Sequence, residues 1–156
     1  MYTKEEAREI TTLFWTSFGK YMQKHTSQFQ FHNKWVNYKT GVKDVYFRLK
    51  IDKSSASVSI EMQQKDDGIR ELYFQQFEEL KRVFTDIVGE WNWEHSVIYQ
   101  TTLGNYLELS SISISISDVN LYNKDTWQKS FLFFEEHIVK LDEFWADFNE
   151  IFKQLE

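Results

Sequence analysis

Between Val45 and Ile51 every second residue is apolar (Val45, Phe47, Leu49, Ile51), with Tyr46, Arg48 and Lys50 between them, the period of a half-buried strand. After Asp52–Ser55 the alternation returns as Ala56, Val58, Ile60 and Met62. A two-residue turn at Lys53 and Ser54 pairs Val45 with Met62, Phe47 with Ile60, Leu49 with Val58 and Ile51 with Ala56, so all eight apolar side chains share one face. A short strand at about Lys34 to Tyr38 precedes this hairpin. Helical spacing flanks it on both sides. Thr3 and Glu6 form a capping box ahead of Ala7, Ile10, Leu13, Phe14, Phe18, Tyr21 and Met22, which predicts a helix from about Lys4 to Lys24. Asp66 or Asp67 opens a second helix, which runs to Val88 before Gly89.

A second hairpin is predicted with strands Trp91–Thr101 and Tyr106–Ser117 around a Gly104-Asn105 turn, which sets Val97 opposite Ile112 and Trp93 opposite Ile116. The run SSISISIS reads as one alternating strand that would be prone to aggregate if left unpaired. From Trp127 to Leu155 aromatic and aliphatic residues recur at steps of four and three. One helix over 124–155 would be about 48 Å long at 1.5 Å per residue, longer than a domain of this size is wide. That favours a break at Glu135–His137 over a heptad seam packed along a second copy. The element order is α-β-β-β-α-β-β-α(-α): a single α+β domain over residues 1–156, with a mixed or antiparallel sheet flanked by helices.

Fourteen Phe, eight Tyr and six Trp against five Gly and no Pro imply a core of bulky side chains and few irregular loops. Without cysteine the chain has no disulfide, thiolate metal site or cysteine nucleophile, which suits a reducing cytoplasm. No segment has the apolar length of a signal peptide core or a membrane span, so a soluble cytoplasmic protein is expected. The net charge of −6 is unevenly spread. Residues 20–53 carry eight Lys or Arg against only Asp44 and Asp52, while residues 54–156 carry eight against nineteen acids.

Within the basic stretch Lys39, Lys43, Tyr46, Arg48 and Lys50 are the candidate binding residues, a mixture of cations and aromatic rings suited to nucleic acid or an acidic protein partner. The alternative for these charges is a solvated hairpin that complements acidic helices. Helix, three strands, helix and strand is also the core order of the restriction-endonuclease-like fold. Asp44, Glu61 and Gln63 fall where that fold holds Mg²⁺, although glutamine replaces the usual lysine; no other cofactor is expected. His25, His32, His95 and His137 lack zinc-ligand spacing, no phosphate-binding glycine loop occurs, and Asp142, Glu143 and Asp147 read as a solvated helix face.

The stretches FWTSFGKYM, WVNYKTGVKDVYFRL, ASVSIEM and ELYFQQFEELK, the pair Trp91 and Trp93, and LDEFW at Leu141–Trp145 together resemble the bacterial domain of unknown function 4268. The likeness covers nearly the whole chain. It implies no activity and carries over no catalytic residue. Its members look like stand-alone bacterial proteins or the C-terminal part of longer chains, some with a nuclease-like domain in front, which implies a nucleic-acid or defence connection by association. A proline that often stands near the position of Glu136 in the family supports a helix break, but this chain has none. The reading expected first is a non-catalytic interaction module. The alternatives are a metal-dependent nuclease or its inactive relative, and a homodimeric chaperone-like adaptor joined through the C-terminal helical segment.

Overall fold

The computed structural model describes residues 2–156. Helix α1 (Lys4–Tyr21) starts at the expected capping box, with the Thr3 side chain accepting from the Glu6 N–H at 3.0 Å and the Glu6 carboxylate accepting from the Thr3 N–H at 3.3 Å. It tightens into a 3₁₀ turn over Met22–Lys24. Strands β1 (Val45–Ile51) and β2 (Ser55–Met62) pair in the register that their alternation predicts, Val45 with Met62 through Ile51 with Ala56. Helix α2 (Asp67–Glu79) is capped by Asp66, whose carboxylate accepts from the Ile69 N–H. The helical stretch is not continuous to Val88. It breaks at Leu80 (φ −96°, ψ 6°) and resumes as α3 (Lys81–Val88), which ends at Gly89 with φ 111°.

Strands β3 (Asn92–Gln100) and β4 (Tyr106–Ser117) complete an antiparallel sheet of order β1-β2-β4-β3. The serine-isoleucine strand β4 is thus central and paired on both sides, against β2 and β3. The expected register of the second hairpin is corrected: Trp93 faces Ile112 and Val97 faces Leu109. A five-residue connection replaces the two-residue turn, with Gln100 paired to Tyr106 and the Thr101 N–H donating to the Asn105 carbonyl. A bulge between Glu94 and Val97 shifts the pairing once more.

Two further corrections concern the flanks. Residues 34–38 form turns rather than a strand. Their polar backbone is served by a side chain, because Gln30 Nε2 donates to the Lys34 carbonyl and Gln30 Oε1 accepts from the Lys39 N–H. Helix α4 (Trp127–Lys153) runs 27 residues without a break. At about 40 Å it packs along α1 over its first half and against α3, β1 and α2 over its second. Phe131 and Phe134 meet Phe14 and Phe18 of α1, whereas Phe144 meets Phe84 of α3 and Trp145 meets Phe47 of β1 and Phe77 of α2. One core therefore extends past the sheet, and the apolar stripe offered as a dimer seam, including Phe134, Ile138, Leu141, Trp145 and Phe152, is buried inside the chain. Of the acids assigned to a solvated face, Glu143 and Asp147 are exposed, but Asp142 is 1 % exposed.

Glu135 ties the two long helices together. Its carboxylate accepts from the Tyr21 hydroxyl (2.6 Å), bonds His25 Nε2 (2.6 Å) and pairs with Lys24 Nζ (3.1 Å). Desolvation pushes its pKa up, but the hydrogen bonds from Tyr21, His25 and Lys24 outweigh this and bring it down to about 2. A carboxylate lowered by folding stabilises the folded state above its ordinary pKa, and that contribution fades as pH falls toward the lowered value. Glu135→Gln is therefore expected to lower the urea midpoint at neutral pH. It should also remove part of the parent's loss of stability between about pH 4.5 and pH 2. Parallel urea titrations across that range measure both effects, and identical acid profiles would exclude this role.

Candidate functional site

The segment that leads into β1 is held by α4. Asp142 accepts from the Ser27 hydroxyl (2.6 Å), the Gln28 N–H (2.6 Å) and the Tyr38 hydroxyl (2.5 Å). Burial and this hydrogen bond push the Tyr38 phenol well up, which keeps it the protonated donor. One turn further along, Trp145 Nε1 donates to the Thr40 carbonyl (2.8 Å). The Thr40 hydroxyl donates to the Val45 carbonyl (2.8 Å) and accepts from the Val42 N–H (3.2 Å), which ties the start of β1 to the loop. Gly41 turns the chain at φ 77°, where a side chain would be strained. Asp44 is also left-handed (φ 63°), and its carbonyl extends the ladder by accepting from the Gln63 N–H at 2.8 Å.

This anchored loop and the start of β1 enclose a cleft of about 430 Å³. Asn37, Lys39, Lys43, Asp44, Tyr46 and Arg48 contribute its polar and aromatic lining. The Arg48 guanidinium lies 4.3 Å from the Tyr46 ring centroid, a cation–π contact that orients both side chains. Four of the five candidate binding residues, Lys39, Lys43, Tyr46 and Arg48, thus converge on one cavity. Lys50 does not join them. Its Nζ pairs with Glu61 at 2.7 Å and lies 5.9 Å from the Tyr99 ring centroid. Lys24 is likewise committed, to Glu135.

The polar face of the first hairpin is partly roofed. Alternation along β4 puts Leu109 on the same face as Ser111, the partner of Glu61. Leu109 is 2 % exposed yet lies outside the main core cluster, and Tyr99 reaches back over Lys50, so the tip of the second hairpin curls over this face. Beneath it Glu61 is 3 % exposed. One of its oxygens accepts from Lys50 Nζ and the Ser59 hydroxyl (3.3 Å), and the other from Gln63 Nε2 (2.8 Å). Of the three candidate metal-site residues, Asp44 lines the open cleft while Glu61 and Gln63 bond to each other under the roof. The first of the three strands in the nuclease-like order is absent. Among the described residues no group of three or more His, Asp and Glu side chains is arranged to hold a metal ion.

Two organising residues escape the charge pattern. Asp142 follows Ile138 by four and precedes Trp145 by three, so its place on the apolar stripe of α4 was the available signal of burial. Arg70, 6 % exposed, donates to the Gln64 carbonyl and pairs with Asp67 and Glu108, and it links α2 to the second hairpin. Three of the four histidines serve local ties: His25 to Glu135, His95 to Glu71, and His137 Nδ1 to the Phe133 carbonyl. Trp35, Trp91, Trp127 and Trp145 are buried, as core aromatic residues are expected to be.

A family model described as a domain of unknown function (DUF4268) matches residues 11–149. No curated protein and no solved structure matches the chain. Among the described residues no helix is long and apolar enough to cross a membrane.

Proposed function

The chain belongs to the DUF4268 family, and from that premise we propose that it is a non-catalytic interaction module that binds a single nucleic-acid strand in the cleft between residues 37–44 and β1. The observation that carries this reading is the convergence of Lys39, Lys43, Tyr46 and Arg48 on one cavity of about 430 Å³, a size in the range of about 300–1,000 Å³ for ligand sites. The three cations supply phosphate contacts, and Asn37 and Tyr46 supply neutral ones. Asp44 opposes the phosphates from the rim. A binding role needs no free carboxylate pair, which agrees with Glu61 being engaged by Lys50 and Gln63. The reading places the domain and its partner in the cytoplasm. It does not use a second copy of the chain, because the apolar stripe of α4 is buried internally.

Lys39→Glu with Arg48→Glu is expected to weaken binding of a labelled single-stranded oligonucleotide by on the order of 10-fold or more at low salt. Lys129→Glu with Lys140→Glu, which changes net charge equally on the exposed side of α4, should leave affinity near the parent's. Asp44→Asn should strengthen binding, since the rim loses its one carboxylate and asparagine accepts the left-handed backbone. Fluorescence anisotropy reads all three. Equal losses in both double variants would reduce the effect to net charge and overturn the cleft assignment. Mg²⁺-dependent cleavage abolished by Asp44→Asn would replace it with a nuclease.

A further inference from the structure

We propose that a second cleft, which shares Lys43 and Asp44 with the first, binds a primary ammonium group carried on an apolar body. The cleft has a volume of about 340 Å³ and lies between the Lys43–Asp44 turn, residues 64–73 at the start of α2, and Leu155 and Glu156 beyond α4. The inference stands apart from the nucleic-acid reading, because none of the groups it uses needs a strand in the first cleft.

The observation that marks a built site is the Tyr73 hydroxyl. Tyr73 is 3 % exposed and its ring belongs to the core. Tyr21 and Tyr38 donate their hydroxyls to carboxylates, Glu135 and Asp142, but that of Tyr73 has no hydrogen-bond partner among the described residues. It is not sealed in either. The unpaired side-chain atoms closed off from solvent belong to Trp35, Gln64, Trp91, Thr101 and Asn149, so the Tyr73 hydroxyl reaches the surface of the cleft that the residue lines. Burial raises its pKa, and the Glu156 and Asp44 carboxylates raise it further, which keeps the phenol neutral and marks both charges as its neighbours.

The rest of the lining supplies acceptors and an apolar wall. The Asp44 carboxylate has no partner among the described residues, and Glu156 uses one oxygen to accept from the Lys43 N–H at 3.1 Å. Asp66 is committed to capping α2. Ile69 and Leu72, one turn apart on α2, are exposed although apolar, and Leu155 joins them at the cleft. A neutral phenol accepts from an N–H while it donates to a carboxylate, and two carboxylates supply the opposite charge that an ammonium group needs. The aliphatic wall covers the body that carries it. Lys43 and Lys65 are exposed at the rim, where long side chains carry their charge out into solvent.

Two probes test the site by ¹⁵N–¹H titration. Phenethylammonium chloride stands for a free amine, and the capped dipeptide acetyl-Leu-Lys-amide stands for a lysine side chain of a protein. Saturable shifts at residues 64–73 and 155–156 are expected, with Kd on the order of 1 mM, and the tighter probe names the source. Neutral phenethyl alcohol should bind on the order of 10-fold more weakly than the amine. Tyr73→Phe should weaken amine binding by about 3- to 10-fold with an unchanged unfolding temperature, since the lost hydroxyl has no partner within the chain. Asp44→Asn should weaken it too, the reverse of the effect expected on an oligonucleotide. Saturable binding of neither probe, equal affinity for the alcohol and the amine, or parent-like affinity in Tyr73→Phe would overturn the proposal.

Discussion

Asp142→Ala is expected to lower stability by about 3–5 kcal/mol, a large share of the roughly 5–15 kcal/mol typical of a folded domain. The substitution strands three donors at once, the Ser27 and Tyr38 hydroxyls and the Gln28 N–H, around a site that is 1 % exposed. Each hydrogen bond to a charged group is worth about 1.5–3 kcal/mol, and buried donors left unpaired add their own cost. Asp142→Asn should be intermediate, because an amide keeps one acceptor and turns an N–H₂ toward a donor. The loss is also local in a way that bears on binding. Residues 27–38 lead directly into the loop that lines the cleft, so the Gln28 amide should exchange with solvent faster in Asp142→Asn even where the domain remains folded. Denaturant titration and amide exchange together test the claim, and a loss within about 0.5 kcal/mol, the size of an ordinary surface change, would contradict it.

Trp145→Ala is expected to cost a similar amount, about 3–5 kcal/mol. The side chain is fully buried and packs on Phe47 of β1, Phe77 of α2 and Phe152 of its own helix, so truncation opens a cavity where the sheet, α2 and α4 meet. Trp145→Phe fills most of that volume but removes the hydrogen bond to the Thr40 carbonyl, for an expected loss of about 1–2 kcal/mol. That variant should loosen the Thr40–Val45 tie at the floor of the cleft. On the same helix Leu132 is 51 % exposed, and Leu132→Ala should stay within about 0.5 kcal/mol of the parent. Urea midpoints order the three variants, and an effect of Leu132→Ala equal to that of Trp145→Ala would contradict the packing described.

The first hairpin was legible because two independent constraints agree. Strict alternation sets which side chains share a face, and the four residues Asp52–Ser55 leave room for one turn only; the Asp52 N–H closes it onto the Ser55 carbonyl. The second hairpin obeyed its alternation but not the assumed turn. Gly104 and Asn105 lie within a longer loop, and the bulge before Val97 has no marker in Glu94-His95-Ser96. The break expected in α4 rests on length, about 48 Å for one helix over 124–155 against the width of a domain of this size. Phe14 and Phe18 extend the core toward the N-terminal half of α4, and the extension removes the length argument.

The candidate cleft was legible to a similar degree. Lys39, Lys43, Tyr46 and Arg48 are near neighbours in the chain, so their charge pattern survives folding, whereas Lys50 is drawn off by Glu61 on the paired strand. What holds the cleft together was not legible. Its anchors, Asp142 and Trp145, lie more than a hundred positions from Tyr38 and Thr40, and only the folded chain brings them together.

The proposed strand-binding surface spans residues 37–48. The most direct test is a two-dimensional ¹⁵N–¹H titration of the labelled protein with a short single-stranded oligonucleotide at low salt. Saturable shifts are expected to concentrate at Asn37, Lys39, Lys43, Tyr46 and Arg48, with little change along the exposed side of α4. No saturable shift, or shifts centred instead on the Ser57–Ser113 face of the sheet, would contradict it.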